Sequence, residues 1–229
     1  KDRHDAWCNV LRNLPAGRTA IYHHRIHRRI HDRLTDATEP EFSAAFSKAY
    51  QDRISVAPMM SNELYITLLY RPFPSELAKR SVRASRTKES LTDYQNQTLA
   101  TTEQQGALIE RSLREFGPTL LGCYEQDGNL FWESGELFSF LINGVWRKVR
   151  FPTGPAYQAL PDARLTFGGG MLEIRQGERR RYASMLSIKE FAGQVEPGTL
   201  GALLYEDSEF IETQSFSSLP RRQAMAALT

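Results

Sequence analysis

The sequence predicts an α+β fold, a mixed, largely antiparallel sheet with flanking helices. Three observations carry that prediction. Some stretches repeat apolar residues at helical spacing and others alternate them, the two kinds of stretch follow one another along the chain, and one pair of strands is joined by a very short turn. A short turn forces antiparallel pairing, because a parallel connection needs a crossover of a dozen or more residues.

Trp7, Val10, Leu11 and Leu14 stand at i, i+3, i+4, i+7 and predict a helix at the start of the chain. Pro15-Ala16-Gly17 breaks it. Arg18 to Ile30 then reads as a strand with Ala20, Tyr22, Ile26 and Ile30 on one face and a very basic opposite face. A helix is expected from Glu41, carried by Phe42, Phe46, Ala49, Tyr50 and Ile54 and stopped by Pro58. In the next strand, Glu63 to Tyr70, Leu64, Ile66 and Leu68 alternate with Tyr65, Thr67 and Leu69, so both faces are apolar and a central position is expected.

Ser75 to Lys88 is polar and basic and reads as a variable segment. A long helix to Phe116 follows, using Leu91, Tyr94, Leu108, Ile109 and Leu113, crossing Gly106 and stopping at Gly117-Pro118. Thr119 to Glu125 is expected as a strand, Asp127-Gly128 as a turn, and Glu136 to Ile142 as a short helix ended by Asn143-Gly144. Val145 to Gly170 reads as mostly irregular. Met171 to Arg175 and Arg181 to Phe191 form the hairpin, through Gln176-Gly177-Glu178. Pro197-Gly198 opens a short helix with Leu200, Leu203 and Leu204, Glu209 to Phe216 is a strand, and Pro220 is placed to open a last helix with Met225 and Leu228.

With 229 residues, 41% hydrophobic and 24% charged, the chain has the composition of a globular protein. It is read as one domain over 1–229, with a sub-boundary near 75–90. A formal charge of +2 does not by itself call for a polyanion, although local basic patches remain open. Cys8 and Cys123 lie far apart in apolar surroundings and are expected as buried thiols of a cytoplasmic protein. No run reaches the length of a membrane-spanning helix, so membrane association is expected to be peripheral. The start at Lys1 and an apolar stripe stopping at Thr229 suggest a fragment of a larger protein.

No GxxxxGK[ST] phosphate loop is present, and Gly168-Gly169-Gly170 leads into Met171-Leu172-Glu173, which reads as a turn before a strand. His23, His24, His27 and His31 cluster, but Arg25 and Arg29 lie between them, and two permanent cations disfavour a metal site of neutral imidazoles. The expected reading is a solvated or partner-facing basic strand, more positive below roughly pH 6.5. No GxSxG elbow occurs, and Glu173, Glu190, Glu209 and Glu212 are explained by cross-strand pairing. No catalytic, cofactor-binding or metal-binding residue is assigned. The candidate contacts with partners or a membrane face are Arg25, Arg28 and Arg29 on the basic strand and Lys79, Arg80, Arg83 and Arg86 in the second cluster. Reversing charge at Arg25, Arg28 and Arg29 is expected to leave the fold intact.

Leu64-Tyr65-Ile66-Thr67-Leu68-Leu69-Tyr70-Arg71-Pro72, then Leu137-Phe138-Ser139-Phe140-Leu141-Ile142-Asn143-Gly144, then Met171-Leu172-Glu173-Ile174-Arg175 form a series that resembles the VirB/TrbE/CagE family of secretion and conjugation ATPases. Ser187-Ile188-Lys189-Glu190, Pro197-Gly198 with Leu200 and Leu203-Leu204, and Glu209-Phe210 followed by Thr213-Gln214-Ser215-Phe216 continue it in the family's order. The resemblance implies the N-terminal, non-catalytic assembly domain of a bacterial ATPase. That ATPase would lie in the cytoplasm, peripheral at the inner membrane, and energise type IV secretion or pilus assembly. Its RecA-like motor domain, with ATP and magnesium, would lie beyond Thr229. Implied partners are other secretion components and further copies of the full-length protein, and the alternative is a domain contacting DNA during conjugative transfer.

Overall fold

The computed structural model describes residues 2–14, 17–30, 45–46, 49–50, 53, 59–71, 80, 87–188, 193–194, 198, 200–219 and 225–226. The chain divides into two compact units, one made of residues 1–118 with 200–229 and the other of 119–199.

In the first unit, β1 (Thr19–Ile30) pairs antiparallel with β2 (Met59–Tyr70) on one side and with the last strand of the chain, Phe210–Ser217, on the other. The full-length register with β2 runs from Thr19↔Tyr70 to Ile30↔Met59. The order corrects the sequence expectation: β1 is central, and β2 is an edge among the described strands, with Leu64 57% and Leu69 39% exposed. Apolarity on both faces of β2 suggested the reverse. The polar side chains of β1 disguised its burial, because a polar group that keeps its hydrogen bonds can sit inside.

Helices α1 (Asp2–Arg12) and α2 (Lys88–Ser112) supply the core on one face of this sheet, where Val10, Leu14, Ile109 and Leu113 close over the fully buried Ile21. Trp7, Leu11, Ile66 and Leu68 line its margin. Ile109 and Leu113 are one helical turn apart, the spacing that puts both on one face. Thr87 caps α2 by accepting from the Ser90 N–H at 3.4 Å. The helix runs unbroken through Gly106, tightens into a 3-10 turn at Arg114–Phe116, and stops where Gly117 turns left-handed with φ 61° just before Pro118. The helix expected after Glu41 lies almost wholly outside the described residues; 45–46, 49–50 and 53 are helical. The one expected after Pro220 is described only at 225–226.

The second unit opens with a hairpin, β3 (Cys123–Gln126) and β4 (Asn129–Trp132). Its two-residue turn has φ 51° at Asp127 and 70° at Gly128, and positive φ at both positions is what the twist of such a hairpin requires. Helix α3 (Glu133–Asn143) follows and ends at Gly144, φ 68°, whose N–H returns to the Phe140 carbonyl at 2.7 Å. After α4 (Ala156–Ala159) come β5 (Arg164–Phe167), β6 (Leu172–Gln176) and β7 (Arg179–Ala183), an antiparallel sheet in that order. The final strand, Phe210–Ser217, is β8, preceded by a 3-10 turn at Gly201–Tyr205.

The α+β class stands, and every described strand pair is antiparallel. Val145 to Gly170 is mostly irregular, as expected, with the short α4 and β5 inside it; of the strand expected over Arg181 to Phe191, β7 ends at Ala183 and 184–188 are not strand, while 189–191 lie outside the described residues. Gly168–Gly170 is the turn from β5 to β6, with the Gly168 N–H donating to the Met171 carbonyl at 2.9 Å. Cys123 is exposed and Cys8 half-buried, which corrects the expectation of two buried thiols. Strand alternation next to a hairpin turn gives one side of β3 to solvent.

Candidate interaction surface

The arginines of β1 are each engaged with a carboxylate on a neighbouring segment. Arg25 is directly opposite Glu212 of β8, with Nη1 and Oε2 3.2 Å apart but not aligned as a hydrogen bond. Arg28 lies diagonal to Glu63 of β2: its Nε donates to Oε1 at 2.8 Å, and Tyr65 Oη donates to the other carboxylate oxygen at 2.9 Å. Burial, and then that bond to Glu63, push the Tyr65 phenol up to about 12. Arg29 reaches out of the sheet to Asp207, donating from Nη2 to the side chain at 3.2 Å and to the carbonyl at 3.0 Å, while its own N–H meets Glu209 at 3.0 Å. The expected solvated basic face is thus a set of ion pairs tying β2, β8 and the turn before β8 to the central strand.

The histidines have the same structural character. The register gives His27 Asn62 on one side and Phe210 on the other. Its Nδ1 is 2.7 Å from the Asn62 side-chain amide, its Nε2–H donates to the Glu206 carbonyl at 2.8 Å, and its ring stacks on Phe210 with centroids 4.8 Å apart. His24 Nδ1 lies 3.0 Å from Thr213 Oγ1. Burial lowers the pKa of His24; it also lowers that of His23, with a further contribution from Arg25. The expected gain of charge near pH 6.5 is therefore displaced to lower pH for these two. His31 lies outside the described residues.

Of the second basic cluster, Arg80 alone is described, and it is exposed. Lys79, Arg83 and Arg86 lie outside the described residues.

Sequence reasoning missed a buried polar knot at the end of α3. Asn143, which reads as a simple helix stop, donates from Nδ2 to the Leu160 carbonyl at 2.8 Å and to Ser139 Oγ at 2.9 Å. Its Oδ1 accepts from the N–H groups of Asp162 and Ala163, both at 2.9 Å. Arg147 adds Nε to Ser139 Oγ at 2.9 Å and Nη2 to the Ala159 carbonyl at 2.6 Å. This knot sets where the chain enters β5, and so positions the sheet β5–β6–β7. The sheet's register brings Arg164, Arg175 and Arg180 into one cross-strand row.

Among the described residues no three His, Cys, Asp or Glu side chains converge in a metal-binding group. No described helix is long and apolar enough to cross a membrane. What this arrangement offers chemically is ion pairing and hydrogen bonding by fixed arginines.

Residues 1–78 match the model of the type IV secretion system ATPase VirB4/TrbE, N-terminal domain, and residues 119–229 match that of the CagE, TrbE, VirB family, component of type IV transporter system. The chain is 35% identical over 236 residues to the type IV secretion system protein PtlC of Bordetella pertussis, covering 99% of this chain and 28% of that protein. It is 33% identical over 235 residues to the type IV secretion system protein virB4 of Brucella suis, with the same coverages, and 27% identical over 216 residues to virB4 of Bartonella henselae. The chain thus spans about 28% of the length of these relatives.

Proposed function

The chain belongs to the CagE, TrbE, VirB family of type IV transporter components, and from that membership we propose that it is the non-catalytic docking and assembly module of a secretion ATPase. The observation that carries the reading is the alignment itself. Nearly all of this chain matches 28% of each relative, and its first 78 residues match a domain described as N-terminal in an ATPase. The GxxxxGK[ST] loop that a motor needs to hold phosphates is at no position of this sequence, so ATP and magnesium are assigned to the parent's motor domain. The module would sit at the cytoplasmic face of the inner membrane, held there by other secretion components and by further copies of the parent.

The test is to co-express the tagged 229-residue chain with the remaining components of its secretion system and isolate it from detergent extracts. Capture of one or more of those components, with no ATP turnover above that of a mock preparation, is the expected result. Sustained turnover by the pure chain, or capture of none of them, would remove the reading.

A further inference from the structure

The sheet β5–β6–β7 carries a feature that its fold does not need. The register places Arg164 opposite Arg175, and Arg175 opposite Arg180, so three guanidinium-bearing residues occupy one row across three strands. Adjacent strands lie ~4.8 Å apart, and like charges set directly opposite one another destabilise a sheet. All three arginines are exposed. The side chains of Arg164 and Arg175 make no ion pair among the described residues, while Arg180 Nε is 4.0 Å from Glu173. The next row on the same face is Thr166, Glu173 and Tyr182. The alternate residues Leu165, Leu172 and Ile174 form the opposite, half-buried face, and Arg181 on that side donates to the Gly144 carbonyl.

We propose that this arginine row is a docking site for an acidic protein segment. Guanidinium forks suit carboxylates, and a row of like charges in which, among the described residues, only Arg180 approaches a carboxylate, Glu173 at 4.0 Å, holds an electrostatic strain that an acidic partner would relieve. A nucleic-acid strand fits less well. Non-specific polyanion binding needs a sustained positive field, whereas residues 119–199 hold nine acidic and nine basic side chains and have no net charge. Glu173 lies within the face, and Tyr182 is its one aromatic side chain, too few for a stacking platform. An extended acidic segment laid across the strands has alternate side chains about 7 Å apart on one side. Two carboxylates would then fall within the width of the row. The site deepens the docking reading above and rests on it only for the identity of the biological partner.

The test uses the 229-residue chain and a fluorescein-labelled peptide of alternating Glu and Ser, followed by anisotropy at low and high salt. Saturable, salt-sensitive binding is expected, reduced about tenfold or more in Arg164→Thr/Arg175→Thr/Arg180→Thr, since a tenfold loss corresponds to ~1.4 kcal/mol, less than one charge-assisted hydrogen bond. The charge-matched control Arg114→Thr/Arg150→Thr/Arg179→Thr should bind nearly as well as the parent. Equal loss in both variants, or no binding by the parent, overturns the proposal. So does tighter, row-dependent binding of a single-stranded oligonucleotide or of anionic phosphatidylglycerol vesicles. Arg175→Thr alone guards against a misfolded triple variant: it should lose affinity while melting at a higher temperature, because the central like-charge contacts are gone. An unchanged affinity in a folded Arg175→Thr chain also overturns it. Peptide binding can fail while capture of secretion components succeeds, so the two readings fall separately.

Discussion

Arg25 and Glu212 face each other across the β1–β8 pairing with 3.2 Å between Nη1 and Oε2, and only 21% and 14% of their side chains remain exposed. Removing one member leaves the other charged and shielded, which costs several times what a surface pair contributes. Arg25→Ala is expected to lower unfolding free energy by ~2–4 kcal/mol. Arg29→Ala, whose pair with Asp207 is 44% and 83% exposed, should cost ~0–1 kcal/mol. Urea unfolding of the two variants checks the difference; equal effects would mean that the Arg25 pair is solvated. Charge reversal at Arg25, Arg28 and Arg29 together should therefore unfold the first unit, contrary to the expectation from sequence.

The two histidines with lowered pKa give stability a defined pH dependence. Burial is the first cause for both His23 and His24, so the folded pKa lies below the ordinary 6.5 of the unfolded chain. Between those values the unfolded state binds more protons, and stability rises with pH. The contribution is complete above about pH 6.5 and is lost as pH falls from there toward the folded pKa values. Each histidine can change stability by at most ~1.4 kcal/mol per pH unit. Urea midpoints between pH 7.5 and 5 should fall, and His24→Gln, which keeps a polar partner for Thr213, should flatten the slope. An identical slope in the variant would remove His24 as a contributor.

What was legible in the sequence was whatever local chemistry determines. The 3.6-residue repeat of Trp7 to Leu14, the Asp127-Gly128 turn and the Gly117-Pro118 stop each fix their geometry within a few residues. Pairing order was not legible, because His24 and His27 look solvent-facing until Thr213, Asn62 and Glu206 are known to satisfy them. Strands β4 and β5 have four residues each, too few for a period to stand out. The row Arg164, Arg175 and Arg180 is spread over seventeen positions, and only register brings it together.

Two glycines in helices should respond to alanine in opposite ways. A Cβ at Gly135 would come within 2.4 Å of the Trp132 ring, so Gly135→Ala must displace an indole and should cost ~1–3 kcal/mol. At Gly106 a Cβ meets nothing within 4 Å in a helix interior, and Gly106→Ala should stabilise by ~0.5–1 kcal/mol. Thermal melts of the two variants moving in the same direction would contradict this account.

Asn143 ties the end of α3 to the chain that enters β5. It is 1% exposed and its amide is saturated: Oδ1 takes the N–H groups of Asp162 and Ala163, and the two hydrogens of Nδ2 are shared among three acceptors, the Leu160 carbonyl, Ser139 Oγ and the Ser139 carbonyl. Asn143→Ala removes the acceptor of two backbone donors, the N–H groups of Asp162 and Ala163, and each unmade buried bond costs ~1–3 kcal/mol. A loss of ~2–4 kcal/mol is expected. Asn143→Asp separates hydrogen bonding from volume, since a carboxylate can still accept from both N–H groups but cannot donate to Leu160. It should fall between the parent and the alanine variant at neutral pH. Hydrogen exchange locates the effect: protection of the Asp162 and Ala163 amides should collapse in Asn143→Ala and persist in Asn143→Asp, while exchange in β1 stays as in the parent. If those two amides remain protected in the alanine variant, other groups hold the entry to β5, and the knot does not position the arginine-bearing sheet.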